Sequence, residues 1–91
     1  MAGLMEGKRV MVFGVANERS IAWGISQLFH EQGARLGFNF VGEALERRVR
    51  PLAESVNAEI VLPCDVTDDA QVAETFAKVK ETWGGLDVLV H

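Results

Sequence analysis

An apolar run, Val10-Met11-Val12-Phe13, stops at Gly14, and the chain continues through Val15-Ala16-Asn17-Glu18-Arg19 to Ser20 and Ile21, where a helical pattern begins. A strand that halts at a glycine and restarts as a helix presents unpaired backbone N–H groups, and the helix dipole adds partial positive charge beside them. That combination suits a phosphate. Gly14 is free to take a positive φ and, lacking a Cβ, lets a ligand approach the backbone. Ser20 stands where an N-cap is needed, so its hydroxyl is available to a helix N–H or to a phosphate oxygen. The same residue types also serve an ordinary strand-to-helix turn, and the spacing departs from G-x-G-x-x-G. The loop alone therefore leaves phosphate binding and plain folding both open.

The elements that must position this loop alternate regularly. Residues 9–13 read as a buried strand, and Ile21, Ile25, Leu28 and Phe29 recur at helical spacing until Gly33 ends the helix. Residues 36–41 form a second strand. Leu45, Val49, Leu52 and Val56 then mark one face of a second helix, which Pro51 is expected to kink or interrupt near Arg50. A third strand spans 59–62, Thr67 or Asp68 caps a third helix striped by Val72, Phe76, Val79 and Trp83, and residues 86–90 form a fourth strand after Gly84-Gly85. Strands separated by helices of this length are parallel and joined by right-handed crossovers. The predicted fold class is therefore α/β, a Rossmann-type parallel sheet in strand order 3-2-1-4, with a crevice beside Gly14 where the order switches.

Composition narrows the functional classes. The chain has 91 residues, 48% hydrophobic and 24% charged, with a net charge of -4. No basic footprint for nucleic acid is visible, because acids outnumber bases and the cluster Arg47-Arg48-Val49-Arg50 lies among Glu43, Glu46 and Glu54. The single cysteine, Cys64, excludes an internal disulfide and fits a reducing compartment. Its surroundings offer no His or Lys to activate it, so it reads as a small buried residue. Met1 to Gly7 lacks a positive region followed by an apolar core, no apolar run approaches membrane length, and a soluble cytoplasmic protein is expected. The last strand ends at His91 with one sheet face and one edge uncovered, so residues 1–91 are expected to be the N-terminal portion of a single dinucleotide-binding domain in a longer protein.

Several blocks together are specific enough to carry a resemblance. The loop 14–24, Gly42-Glu43-Ala44-Leu45, the segment 48–54, Val61-Leu62-Pro63-Cys64-Asp65-Val66 and the strand ending in Val90-His91 closely resemble bacterial enoyl-acyl-carrier-protein reductases. These are divergent members of the short-chain dehydrogenase/reductase superfamily. The resemblance runs from about Leu4 to His91, and the long G-x5-S-I-A loop separates this family from members carrying T-G-x-x-x-G-x-G.

The resemblance implies that Gly14, Ser20 and Ile21 lie along the pyrophosphate and adjoining ribose of NAD. It places Asp65 and Val66 beside the adenine, the Asp65 carboxylate accepting from the exocyclic amine and Val66 offering its backbone N–H. An Asp after a strand also commonly caps the following turn. Val41 stands where the family commonly has Gln, which reduces the adenosine contact there to packing and backbone. Neither acid nor base marks the end of the second strand, so the preference for NADH over NADPH rests on the resemblance. Arg47 and Arg48 lie at least a helical turn from that point.

The implied reaction is reduction of the trans-2 double bond of an enoyl thioester on acyl carrier protein, in bacterial fatty acid biosynthesis, by a homotetramer. The family's catalytic Tyr and Lys fall beyond position 91, and this chain has no tyrosine, so no catalytic residue and no metal ligand is assigned within it. A free-standing nucleotide-binding module and another short-chain reductase are the alternatives.

Overall fold

The computed structural model describes residues 3–91. Strands β1 (Arg9–Val12), β2 (Arg35–Phe40), β3 (Ile60–Pro63) and β4 (Val88–Val90) alternate with helices α1 (Ile21–Glu31), α2 (Glu43–Ser55) and α3 (Asp69–Trp83). All pairings are parallel and the sheet order is β3-β2-β1-β4, as the alternation predicts. The register sets Val10 beside Leu36 and Val88, and Gly37 beside Ile60.

Period-two alternation divides the core into two layers. Val10, Val12, Leu36, Phe38 and Phe40 face the side covered by α1 and α2, where Trp23, Val49, Ala53 and Val56 meet them. Met11, Phe13 and Ile60 face the other side and pack with Val79 and Trp83 of α3. Gly37 belongs to this second face, and a Cβ there would meet Met11 Sδ at 2.8 Å and Trp83 Cη2 at 3.2 Å. The small residue lets the indole close down on the sheet.

Three local expectations are corrected. Pro51 does not interrupt α2, which runs unbroken over Glu43–Ser55. Proline removes one ladder bond and frees the carbonyl four residues earlier. Pro51 and Arg47 are both exposed, which places the freed carbonyl on the outer side of the helix, while buried Val49 and Ala53 hold the two halves on the sheet. In α1, Ile21 and Leu28 point outward, at 84% and 62% exposure, and Trp23 and Ser26 are the buried residues. The Ser26 hydroxyl donates to the Ala22 carbonyl at 2.7 Å, so it enters the interface without an orphaned polar group. In α3, Thr75 takes the buried place expected of Phe76, with its hydroxyl donating to the Gln71 carbonyl at 2.9 Å. Phe76 instead sits at the rim with its ring centroid 6.4 Å from that of Phe13.

Strand limits shift by a residue or two. Phe13 lies outside β1 but continues its ladder, donating N–H to the Val90 carbonyl at 2.8 Å. Asp68 is the N-cap of α3, its carboxylate accepting from Ala70 and Gln71 N–H, and Gly84 closes the helix in the left-handed region.

Candidate cofactor site

The C-terminal ends of the strands converge on a cleft of about 210 Å3 lined by Phe13, Gly14, Asn39, Val41, Cys64, Asp65, Val66 and His91. An adjoining hollow of about 180 Å3 shares Gly14, Asn39 and Val41 and continues to Ala16 and Leu45. Four of the six residues singled out from sequence, Gly14, Val41, Asp65 and Val66, thus line one cleft, although they come from three separate segments. Ser20 and Ile21 stand apart from its lining, at the start of α1.

Gly14 has φ +97°, and a Cβ built on it would meet nothing within 4 Å. The turn requires the positive φ, and open space lies beside the backbone. Asn17 organises the rest of the loop, its side-chain oxygen accepting from Arg19 N–H at 2.8 Å and its carbonyl from Ser20 N–H at 3.1 Å. Ser20 occupies the N-cap position of α1 with an extended backbone, yet its hydroxyl donates to the Asn17 carbonyl at 2.8 Å and accepts from no helix N–H. Of the two uses open to it, the helix-capping one is not taken. The N–H groups of Ile21 and Ala22 find no acceptor among the described residues. Unsatisfied donors at a helix start are the groups that anions use.

Asp65 plays the turn-capping part at one oxygen only. Its Oδ1 accepts from Thr67 N–H at 2.9 Å and from the Thr67 hydroxyl at 2.6 Å, whereas Oδ2 makes no hydrogen bond among the described residues. The Thr67 side chain, then its backbone, holds the Asp65 carboxyl below the usual carboxylate range. The group is therefore ionised at neutral pH with one oxygen free to accept. The N–H of Val66 likewise donates to no acceptor among the described residues, and its side chain is 43% exposed at the rim with Val41 at 48%. A free acceptor, a free donor on the next residue and apolar rims form a slot suited to a flat heterocycle bearing an amine.

Sequence reasoning missed Asn39. Only 6% exposed, it donates Nδ2–H to the Cys64 carbonyl at 2.9 Å and accepts from Gly14 N–H at 3.4 Å, linking the ends of β1, β2 and β3. An amide between Phe38 and Phe40 in the buried part of β2 was the available signal. Arg48 lines a different hollow with Asn17, Glu18 and Arg19, away from Val41. Cys64 is wholly buried, and His91 sets its ring edge-on to Phe13 at 6.3 Å. Among the described residues no cluster of metal-ligating side chains occurs, and no helix is long and apolar enough to cross a membrane.

Comparison with known proteins decides the family: residues 14–91 match the family described as Enoyl-(Acyl carrier protein) reductase. The chain belongs to this family. It is 53% identical over 91 residues to enoyl-[acyl-carrier-protein] reductase [NADH] 2 of Rhizobium meliloti (strain 1021), covering 100% of this chain and 34% of that protein. The crystal structure of the Anaplasma phagocytophilum reductase in complex with NAD superposes with a TM-score of 0.93 at 43% identity, over 100% of this chain and 35% of that one. A Bacillus cereus enoyl-acyl carrier protein reductase, crystallised with NADP+ and indole naphthyridinone, gives 0.92 at 45% identity over 98% of this chain and 35% of that chain. The chain thus spans about a third of the length of its reductase relatives. Its sheet is the Rossmann-type sheet of those structures.

Proposed function

We propose that this chain is the N-terminal, cofactor-holding portion of an NADH-dependent enoyl-acyl-carrier-protein reductase. The observation that carries the reading is the single cleft formed by Gly14, Val41, Asp65 and Val66, with Asp65 Oδ2 and Val66 N–H both free. These groups fit the adenine end of a dinucleotide. Asp65 Oδ2 accepts from the exocyclic amine, Val66 N–H donates to a ring nitrogen, and Val41 packs on the adenosine. Beyond them Gly14 leaves room for the pyrophosphate, while Ser20 and the free N–H groups of Ile21 and Ala22 face the phosphate side. NADH, when bound, supplies hydride to the β-carbon of a trans-2-enoyl thioester.

The residues of this chain bind and orient; they donate no proton to the reacting centre. Binding energy at the remote adenosine end is useful because it fixes where the nicotinamide end must lie. NADH is the proposed cofactor, in keeping with the relative named for it. The proposed substrate is carried on acyl carrier protein, the proposed assembly is a homotetramer, and the proposed setting is the cytoplasm, without nucleic acid or membrane partners. Equilibrium titration of NADH by fluorescence tests the reading: Asp65→Ala in the full-length protein weakens binding about tenfold. Unchanged affinity removes Asp65 from the site.

A further inference from the structure

The peptide unit joining Cys64 to Asp65 is held at both of its polar atoms by side-chain amides from different elements. Its carbonyl accepts from Asn39 Nδ2 of β2 at 2.9 Å, and its N–H donates to Gln71 Oε1 of α3 at 2.8 Å. Because a peptide unit is planar, fixing both ends of its dipole fixes the orientation of the plane, and with it the direction in which the next residue leaves. That residue is Asp65, and Val66 follows.

The Gln71 contact departs from ordinary helix capping. Asp68 is the N-cap and Gln71 the third helical residue, the spacing of a capping box, in which the Gln side chain returns to the N–H of the cap residue. Here the Asp68 N–H is taken by the Asp65 carbonyl at 2.9 Å, and Gln71 reaches past it to Asp65 N–H while its Nε2 donates to Asp68 Oδ2 at 3.2 Å. Asn39 extends the arrangement by accepting from Gly14 N–H, so a single buried side chain touches both the glycine turn and the segment before Asp65.

We propose that Asn39 and Gln71 are positioning residues that clamp the Cys64–Asp65 peptide, and so aim Asp65 Oδ2 and Val66 N–H at the amino-bearing edge of a purine. The inference rests on the functional reading above and deepens it. The clamp gives the site its preference for a 6-amino purine over a 6-oxo purine, because that preference depends on where a carboxylate oxygen sits to a fraction of an ångström.

The test compares the dissociation constants of NADH and of its hypoxanthine analogue, in which oxygen replaces the 6-amino group, on the full-length protein. The wild type prefers NADH by about tenfold. In Gln71→Leu and separately in Asn39→Leu this preference falls to about threefold or less, and in the free Gln71→Leu protein the Asp65 amide hydrogen exchanges at least about tenfold faster. Gln71→Leu changes a partly exposed side chain, so it remains informative if Asn39→Leu does not fold. A preference unchanged in both variants, or equal weakening of both dinucleotides, overturns the clamp while leaving the cofactor site standing. A wild type with no preference overturns the role given to Asp65, and the clamp with it.

Discussion

The two ends of this sheet are built on opposite principles. At the N-terminal ends of the strands two arginines are each paired with a carboxylate. The Arg9 guanidinium donates to both Asp87 oxygens at 2.9 and 3.2 Å and to the Trp83 carbonyl at 3.0 Å, while Arg35 donates to both Glu59 oxygens at 2.7 and 2.8 Å. Gly33, at φ +90°, is crowded there, since a Cβ would meet Glu6 Cα at 3.0 Å. At the C-terminal ends Gly14 also has a positive φ, but its Cβ position is open, one Asp65 oxygen is free, and the N–H groups of Ile21, Ala22 and Val66 lack acceptors among the described residues. The paired end serves cohesion. Unpaired polar atoms beside open space suit the other end to the proposed ligand.

That contrast predicts that substitutions separate into stability effects at one end and binding effects at the other. The largest effect is expected for Trp83→Ala, which removes the indole packed on Gly37 and Val79, destabilises the fold by about 3–5 kcal/mol and is read from denaturant unfolding. Next comes Ser20→Glu, which sets a negative charge on the phosphate side and weakens NADH binding more than about tenfold, ~1.4 kcal/mol, with little change in Tm. A loss of stability without a loss of affinity would erase the distinction drawn between the two ends.

Acid sharpens the contrast. Asp87 is held far below the ordinary carboxylate range, first by the Arg9 side chain and then by its backbone N–H, and Glu59 is lowered by Arg35. A carboxylate depressed in the folded state contributes stability fully at pH above its unfolded value and loses it as pH falls toward the folded one. Unfolding measured from pH 6 downward should therefore show stability declining once pH enters the free-carboxylate range, around pH ~4. Asp87→Asn should be less stable at neutral pH and flatter across that range. The smallest effect is expected of Thr67→Ala, which removes the foremost cause of the low Asp65 pKa and raises it toward the ordinary value, measurable by carboxyl carbon NMR.

The sheet order was legible because apolar runs, helical stripes and Gly or Asp punctuation agreed from one element to the next. The stripe of Ile21, Ile25, Leu28 and Phe29 did not mark the buried face of α1, because Trp23 and a Ser26 that satisfies its own hydroxyl take the buried positions. Pro51 misled because the cost of proline depends on whether the freed carbonyl reaches water, which only the docked helix reveals. Gly14, Val41, Asp65 and Val66, which line one cleft, stand in local blocks that the sequence displays. The parts of Asn39 and Gln71 were not legible there, because their partners are assembled by tertiary structure; Asn39 lies 25 positions from Cys64 in the chain.

The most direct test follows backbone amides by 15N NMR while NADH is added to the full-length protein. Shifts should concentrate at Gly14, Ile21, Ala22, Asp65 and Val66, with Arg9, Arg35, Glu59 and Asp87 unmoved. Shifts centred on the paired end, or none at Asp65 and Val66, would contradict the proposed site.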